Sequence, residues 1–146
     1  MTALLSVKQR ERLGDERQSQ AIAALRDVLP EHALIWNAED TTPYECDGLT
    51  AYRTRPLAVA LPETEAQVAA VLKSCHALGV PVVARGAGTG LSGGAMPHPM
   101  GVTLSLAKLT GNNTVTVAAS ALARFEVLGR ELLRPHVHAH VTRNNG

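Results

Sequence analysis

A chain of 146 residues is long enough to bury one real core and too short for a second sizeable one. Hydrophobic residues at 45% and charged ones at 18% exclude the polar, charge-rich composition of disorder, and a formal net charge of +1 excludes a global basic field for nucleic acid or an anionic membrane. The signs are unevenly spread: no Asp or Glu lies between Glu65 and Glu126, while Lys73, Arg85, Lys108 and Arg124 do, so an anion bound there meets little repulsion.

In chain order, residues 1–17 are polar and rich in Arg and Gln. Ala21, Ile22, Leu25, Val28 and Leu29 then recur at helical spacing until Pro30, which predicts an amphipathic helix over residues 18–29. Residues 32–56 mix aromatic residues with Asp, Pro and Gly and read as irregular chain, with one short strand at 33–36. The apolar run 57–61, bounded by prolines, suits a strand buried on both faces. A helix follows: Thr64 as N-cap with Gln67 forms a capping box, Val68, Val71, Leu72, Cys75 and Leu78 make one apolar face, and Gly79 supplies a left-handed stop. Residues 80–84 and 101–106 read as two further strands.

Strand, helix, strand, glycine loop, strand is a βαβ order, with parallel strands and the loop at a carboxyl strand end, where α/β sheets hold ligands. Beyond Lys108 the texture changes: 110–116 is polar and β-leaning, 118–133 suits an amphipathic helix, and a His-rich tail follows. The longest apolar runs are far short of a membrane-spanning helix, and neither a cleavable leader nor a CxxC spacing is present, so a cytoplasmic location is expected.

The chemistry-bearing segment is Arg85-Gly86-Ala87-Gly88-Thr89-Gly90-Leu91-Ser92-Gly93-Gly94-Ala95, with five glycines in eleven residues. Ordering that many glycines is entropically expensive and calls for a compensating interaction. Glycines admit positive φ and leave no Cβ in the way, so successive N–H groups can converge on one anion as a nest. A diphosphate suits such a nest, since each hydrogen bond to a charged acceptor contributes roughly 1.5–3 kcal/mol. Thr89 and Ser92 offer hydroxyls and Arg85 a guanidinium. A plain surface turn joining two strands is the alternative.

Gly88, Gly90 and Gly93 match GxGxxG, yet Pro97 and Pro99 follow where the Rossmann fingerprint requires a helix, and no acidic residue stands about 20 positions on. A Walker A loop is excluded because no Lys with Ser or Thr follows the glycines.

Pro43-Tyr44-Glu45-Cys46-Asp47-Gly48, Tyr52-Arg53-Thr54-Arg55-Pro56, Leu61-Pro62 with Gln67-Val68, and residues 81–95 together resemble the N-terminal part of the FAD subunit of glycolate oxidase and its relatives, the D-lactate and D-2-hydroxyglutarate dehydrogenases. The resemblance covers about residues 20–109. It implies an α+β (α/β-like) first lobe of a PCMH-type FAD-binding domain of the vanillyl-alcohol-oxidase kind, with a short, mainly parallel sheet and flanking helices. It also implies noncovalent FAD with its diphosphate on residues 85–94, oxidation of a 2-hydroxy acid to the 2-keto acid, and other oxidase subunits as partners.

On this reading residues 1–52 form an N-terminal helix and approach segment, 53–109 the first lobe and 110–146 a divergent tail. The family's continuation is not recognisable after Leu109, so the second lobe is expected to be missing, the gene to be frameshifted or truncated, and no catalytic residue can be carried over. Weak or absent FAD binding and no turnover are expected of the chain alone. A stand-alone nucleotide- or phosphate-binding module and a non-functional remnant are the rival readings.

Among the remaining candidates, Tyr44, Asp47, Tyr52 and Arg53 either approach the flavin or pin the N-terminal segment to the domain. His136, His138 and His140 would share one face of a strand as a metal site, but accidental composition explains them better. Asn112-Asn113-Thr114 matches a glycosylation acceptor without function in a cytoplasmic chain. Cys46 and Cys75 read as packing residues, and His76 as solvated.

Overall fold

The computed structural model describes residues 5–48, 50–91 and 93–109. The first element is a 20-residue helix, α1 (Val7–Arg26), eleven residues earlier in its start than the apolar stripe predicts. Its start is set by polar chemistry: the Ser6 side chain accepts from the Gln9 N–H, and the Gln9 side chain accepts from the Ser6 N–H at 2.8 Å, a complete capping box. Only Ala21 and Leu25 of this helix are fully buried, and the chain leaves the helix after Arg26, not at Leu29.

The segment expected to be irregular carries short order. A 3-10 turn (Glu31–Ala33) leads into β1 (Leu34–Ile35), then α2 (Ala38–Thr41) and a second 3-10 turn (Thr42–Tyr44). The next strand, β2 (Ala58–Ala60), is buried throughout, as its unbroken apolar run requires. Helix α3 (Glu65–Leu78) begins at Thr64, whose hydroxyl accepts from the Gln67 N–H at 3.2 Å. The return half of the expected box is displaced by one residue, because the Gln67 side chain accepts from the Glu63 N–H at 2.7 Å. Val68, Val71 and Cys75 are buried, Leu72 and Leu78 half-buried, and His76 exposed. Gly79 ends the helix with φ of +64°.

Two further strands, β3 (Val82–Arg85) and β4 (Val102–Ser105), complete a four-stranded sheet of order β1-β2-β4-β3. β4 pairs in parallel with β2 (Ala58 opposite Val102) and with β3 (Val82 opposite Val102, Arg85 opposite Ser105). β1 adds an antiparallel edge, with Leu34 opposite Ala60. The sheet is therefore mixed, with three parallel strands, and the fold is of the α+β kind. Helices α1 and α3 pack against each other, and α1 also touches β1 and β2. Leu25, Val59, Val71, Val102 and Leu104 are the largest apolar side chains sealed from solvent, each worth roughly 1.5–3 kcal/mol in removed surface.

Two polar ties fasten α1 to this core. Arg17 Nη1 donates to the Leu78 carbonyl at 2.8 Å, and Gln18 Nε2 donates to the Leu57 carbonyl at 2.8 Å. Among the described residues no helix is long and apolar enough to cross a membrane. The expected elements at 110–116 and 118–133, the glycosylation match, and His136, His138 and His140 lie outside the described residues.

Candidate functional site

Strand β3 ends at Arg85, and the glycine loop leaves from there at the carboxyl end of the parallel strands, where open α/β sheets place ligands. The strand extends one residue beyond the expected 80–84, so Arg85 is fixed by the ladder, its own carbonyl accepting from the Leu106 N–H at 2.9 Å. Of the other candidate residues, Gly86, Ala87, Thr89, Gly90, Leu91 and Gly94 are exposed and Gly88 and Gly93 half-buried. Ser92 lies outside the described residues.

The loop's backbone meets both requirements of a nest. Gly88 and Gly93 have φ of +71° and +75°, the left-handed region that glycine enters without penalty. Among the described residues, none of the N–H groups of residues 86–91 or of Gly93 donates a hydrogen bond to the protein; the internal bond of this segment, Met96 N–H to the Gly93 carbonyl at 3.2 Å, lies beyond them. Seven backbone donors are thus left to solvent or to an acceptor from outside the described residues. No Asp or Glu occurs in the loop to repel an anion.

Arg85 points elsewhere. Its guanidinium donates through Nη1 to the Cys46 carbonyl and through Nη2 to the Pro43 carbonyl at 3.4 Å, and lies over the Tyr44 ring at 5.6 Å from the centroid. It also covers Gly88, where a Cβ would stand 2.2 Å from Nη2. The Pro43–Gly48 stretch is thereby laid against the glycine loop. Gly48 makes the second contact: a Cβ there would stand 2.7 Å from the Thr89 oxygen and 2.9 Å from the Gly90 oxygen.

The candidates in the approach segment divide accordingly. Tyr44 is half-buried under Arg85 and Asp47 is buried, whereas Tyr52, at 67% exposure, and Arg53 face solvent. Gly48 and the Pro43 and Cys46 carbonyls are further participants, from a stretch that the sequence marks by its family resemblance but not by any contact with the loop. Among the described residues no group of His, Cys, Asp or Glu is arranged to hold a metal ion.

A mainly parallel sheet with a glycine loop at its carboxyl end is an arrangement in which α/β proteins hold ligands, and the pattern of the FAD binding domain family matches residues 56–132. That match covers just over half of the 146 residues, and the chain belongs to this family, whose cofactor is FAD. The match continues past Leu109, where the resemblance legible by motif stops.

Over 96 residues the chain is 53% identical to glycolate oxidase subunit GlcD of Escherichia coli, covering 66% of this chain and 19% of that protein. It is 46% identical over 52 residues to a D-lactate dehydrogenase of Archaeoglobus fulgidus (36% of this chain, 12% of that one). A D-2-hydroxyglutarate dehydrogenase of Xanthomonas citri is 36% identical over 88 residues (60% of this chain, 19% of that one). The chain thus spans about a fifth of the length of the glycolate oxidase subunit it matches.

Proposed function

We propose that this chain is the FAD-holding portion of a flavin-dependent oxidoreductase that converts a 2-hydroxy acid of the glycolate or D-lactate type to the 2-keto acid. On this reading residues 53–109 are the first lobe of the FAD domain, residues 1–52 its approach segment, and the diphosphate of noncovalent FAD lies on the backbone of residues 85–94. The observation that carries the proposal is the row of N–H donors at residues 86–91 and Gly93, none of which has a protein acceptor among the described residues. Their number and chemistry fit a diphosphate, whose oxygens accept several charge-assisted bonds at once.

Bound flavin supplies the two-electron acceptor for such an oxidation; the protein's share is binding, orientation and electrostatics. Here that share is the grip: loop amides toward the anion, Thr89 as a neighbouring hydroxyl, and no acidic side chain from Ala66 to Leu109 to oppose it. Substrate class and partner subunits follow from the relatives, one of which is named as an oxidase subunit and two as dehydrogenases of hydroxy acids. A cytoplasmic location belongs to the same reading.

Titration calorimetry of the 146-residue chain with FAD, ADP and inorganic phosphate tests the reading. Weak binding of FAD, with no heat from ADP or phosphate, is the result expected of this chain, which spans about a fifth of the oxidase subunit it matches. Equal binding of FAD and ADP would make the chain a general diphosphate module, and no heat with any of the three would remove the site.

A further inference from the structure

Resting on that reading of the loop, we propose that Gly48 and Arg85 are positioning residues that turn the amides of Gly90 and Leu91 outward to the diphosphate, and that Arg85 is not itself a phosphate donor. The Thr89 oxygen stands nearer the Cβ position of Gly48 than the Thr89 carbon does, 2.7 against 3.0 Å, and the Gly90 oxygen stands at 2.9 Å, so both carbonyls face Gly48. No peptide bond in the described structure is cis. In a planar trans peptide the C=O and the following N–H point in opposite directions. Facing the Thr89 and Gly90 oxygens onto Gly48 therefore directs the Gly90 and Leu91 N–H groups away from it. Two successive donors on one side are the minimal anion nest.

What holds Gly48 there is Arg85. One N–H of Nη1 and one of Nη2 go to the Cys46 and Pro43 carbonyls and the plane lies over Tyr44, so the fork is turned onto the approach segment. Those acceptors lie within the same short stretch as Gly48, so one side chain on the rigid end of β3 fixes the stretch that orients the loop. The geometry needs a planar, forked donor, which lysine lacks.

The test is amide NMR on the full chain titrated with FAD, comparing wild type, Gly48→Ala and Arg85→Lys. In wild type the Gly90 and Leu91 amide resonances should move with FAD. Gly48→Ala should leave the resonances of β2 and β4 in place without ligand while FAD affinity falls roughly tenfold or more, the worth of one or two hydrogen bonds to a charged acceptor. Arg85→Lys, which keeps the charge, should lose affinity as fully as Gly48→Ala, and the loss should persist at low salt, where a direct ionic contact would be strongest.

If wild type binds FAD through Gly90 and Leu91 but both variants bind as well as it does, the positioning roles are wrong while the site survives. If the Gly90 and Leu91 resonances of wild type do not respond, the site itself is wrong and the inference falls with it. Should Gly48→Ala fail to fold, Arg85→Lys alone decides: undiminished affinity overturns the proposal and a loss sustains it.

Discussion

At Gly88 two independent demands fall on one residue. Its φ of +71° is a conformation that costs an L-residue roughly 1–2 kcal/mol, and the Arg85 guanidinium occupies the space of any side chain. Gly88→Ala should therefore lower the stability of the free chain by about 1–2 kcal/mol and also dislodge Arg85 from the Pro43 and Cys46 carbonyls. Thermal melts without ligand measure the first effect and FAD titration the second; a variant that melts lower yet binds FAD as tightly would separate Gly88 from the grip. Gly86 and Gly90, by contrast, have neither a positive φ nor an atom within 4 Å of the Cβ position. The excess of glycine was legible in the sequence, but not which glycine answers to sterics and which to a guest. Gly48 lies far from the loop in sequence, so its contact with Thr89 and Gly90 emerges only when the chain is folded.

At the scale of the element, α3 shows how closely pattern and packing agree. Thr64, the buried face of Val68, Val71 and Cys75, and the Gly79 stop all stand where capping, period and left-handed termination put them. The start of α1 was hidden because Val7, Leu13 and their neighbours are exposed, so no apolar period marks the first half of the helix; the Ser6 and Gln9 box was its only sign. Burial on α3 also has a consequence for pH. It pushes the Cys75 thiol up to about 11 from an ordinary 9.0, because a thiolate there would lose its hydration. Above pH 9 the unfolded chain sheds this proton while the folded chain keeps it, so stability falls as pH rises, until the folded thiol ionises near 11 as well. The loss amounts to roughly 2–3 kcal/mol across that window. Urea midpoints of wild type and Cys75→Ala from about pH 8 to about pH 11 should converge as pH rises; curves that stay parallel would show that the thiol is not the group responsible.

Across the whole molecule, the βαβ order and the placement of the loop at a carboxyl strand end were legible, but the insertion of β4 between β2 and β3 was not. Val102-Thr103-Leu104-Ser105 alternates like a half-exposed strand, yet all four residues are buried, while the more apolar β3 lies at the edge and is half-buried. The entry to β4 accounts for the order. The Leu57 N–H donates to the Gly101 carbonyl at 2.9 Å and the Val102 N–H donates to the Pro81 carbonyl at 2.8 Å, so this single junction joins the starts of all three parallel strands. A Cβ at Gly101 would stand 2.7 Å from the Pro81 oxygen and 2.9 Å from the His98 Cβ, one of them backbone that cannot yield without parting β3 from β4. Gly101→Ala should cost about 1–3 kcal/mol, the range for overfilled cores, and should lower the urea midpoint equally by every probe because the junction belongs to the whole sheet. Gly101 precedes β4 at its amino end, whereas the glycine loop follows β3 at its carboxyl end. FAD affinity measured on the folded protein should accordingly match wild type, in contrast to Gly48→Ala, where affinity falls and the sheet persists. A Gly101→Ala protein of undiminished stability but weakened FAD binding would reverse that assignment, and would mean that the two ends of this short sheet do not act independently.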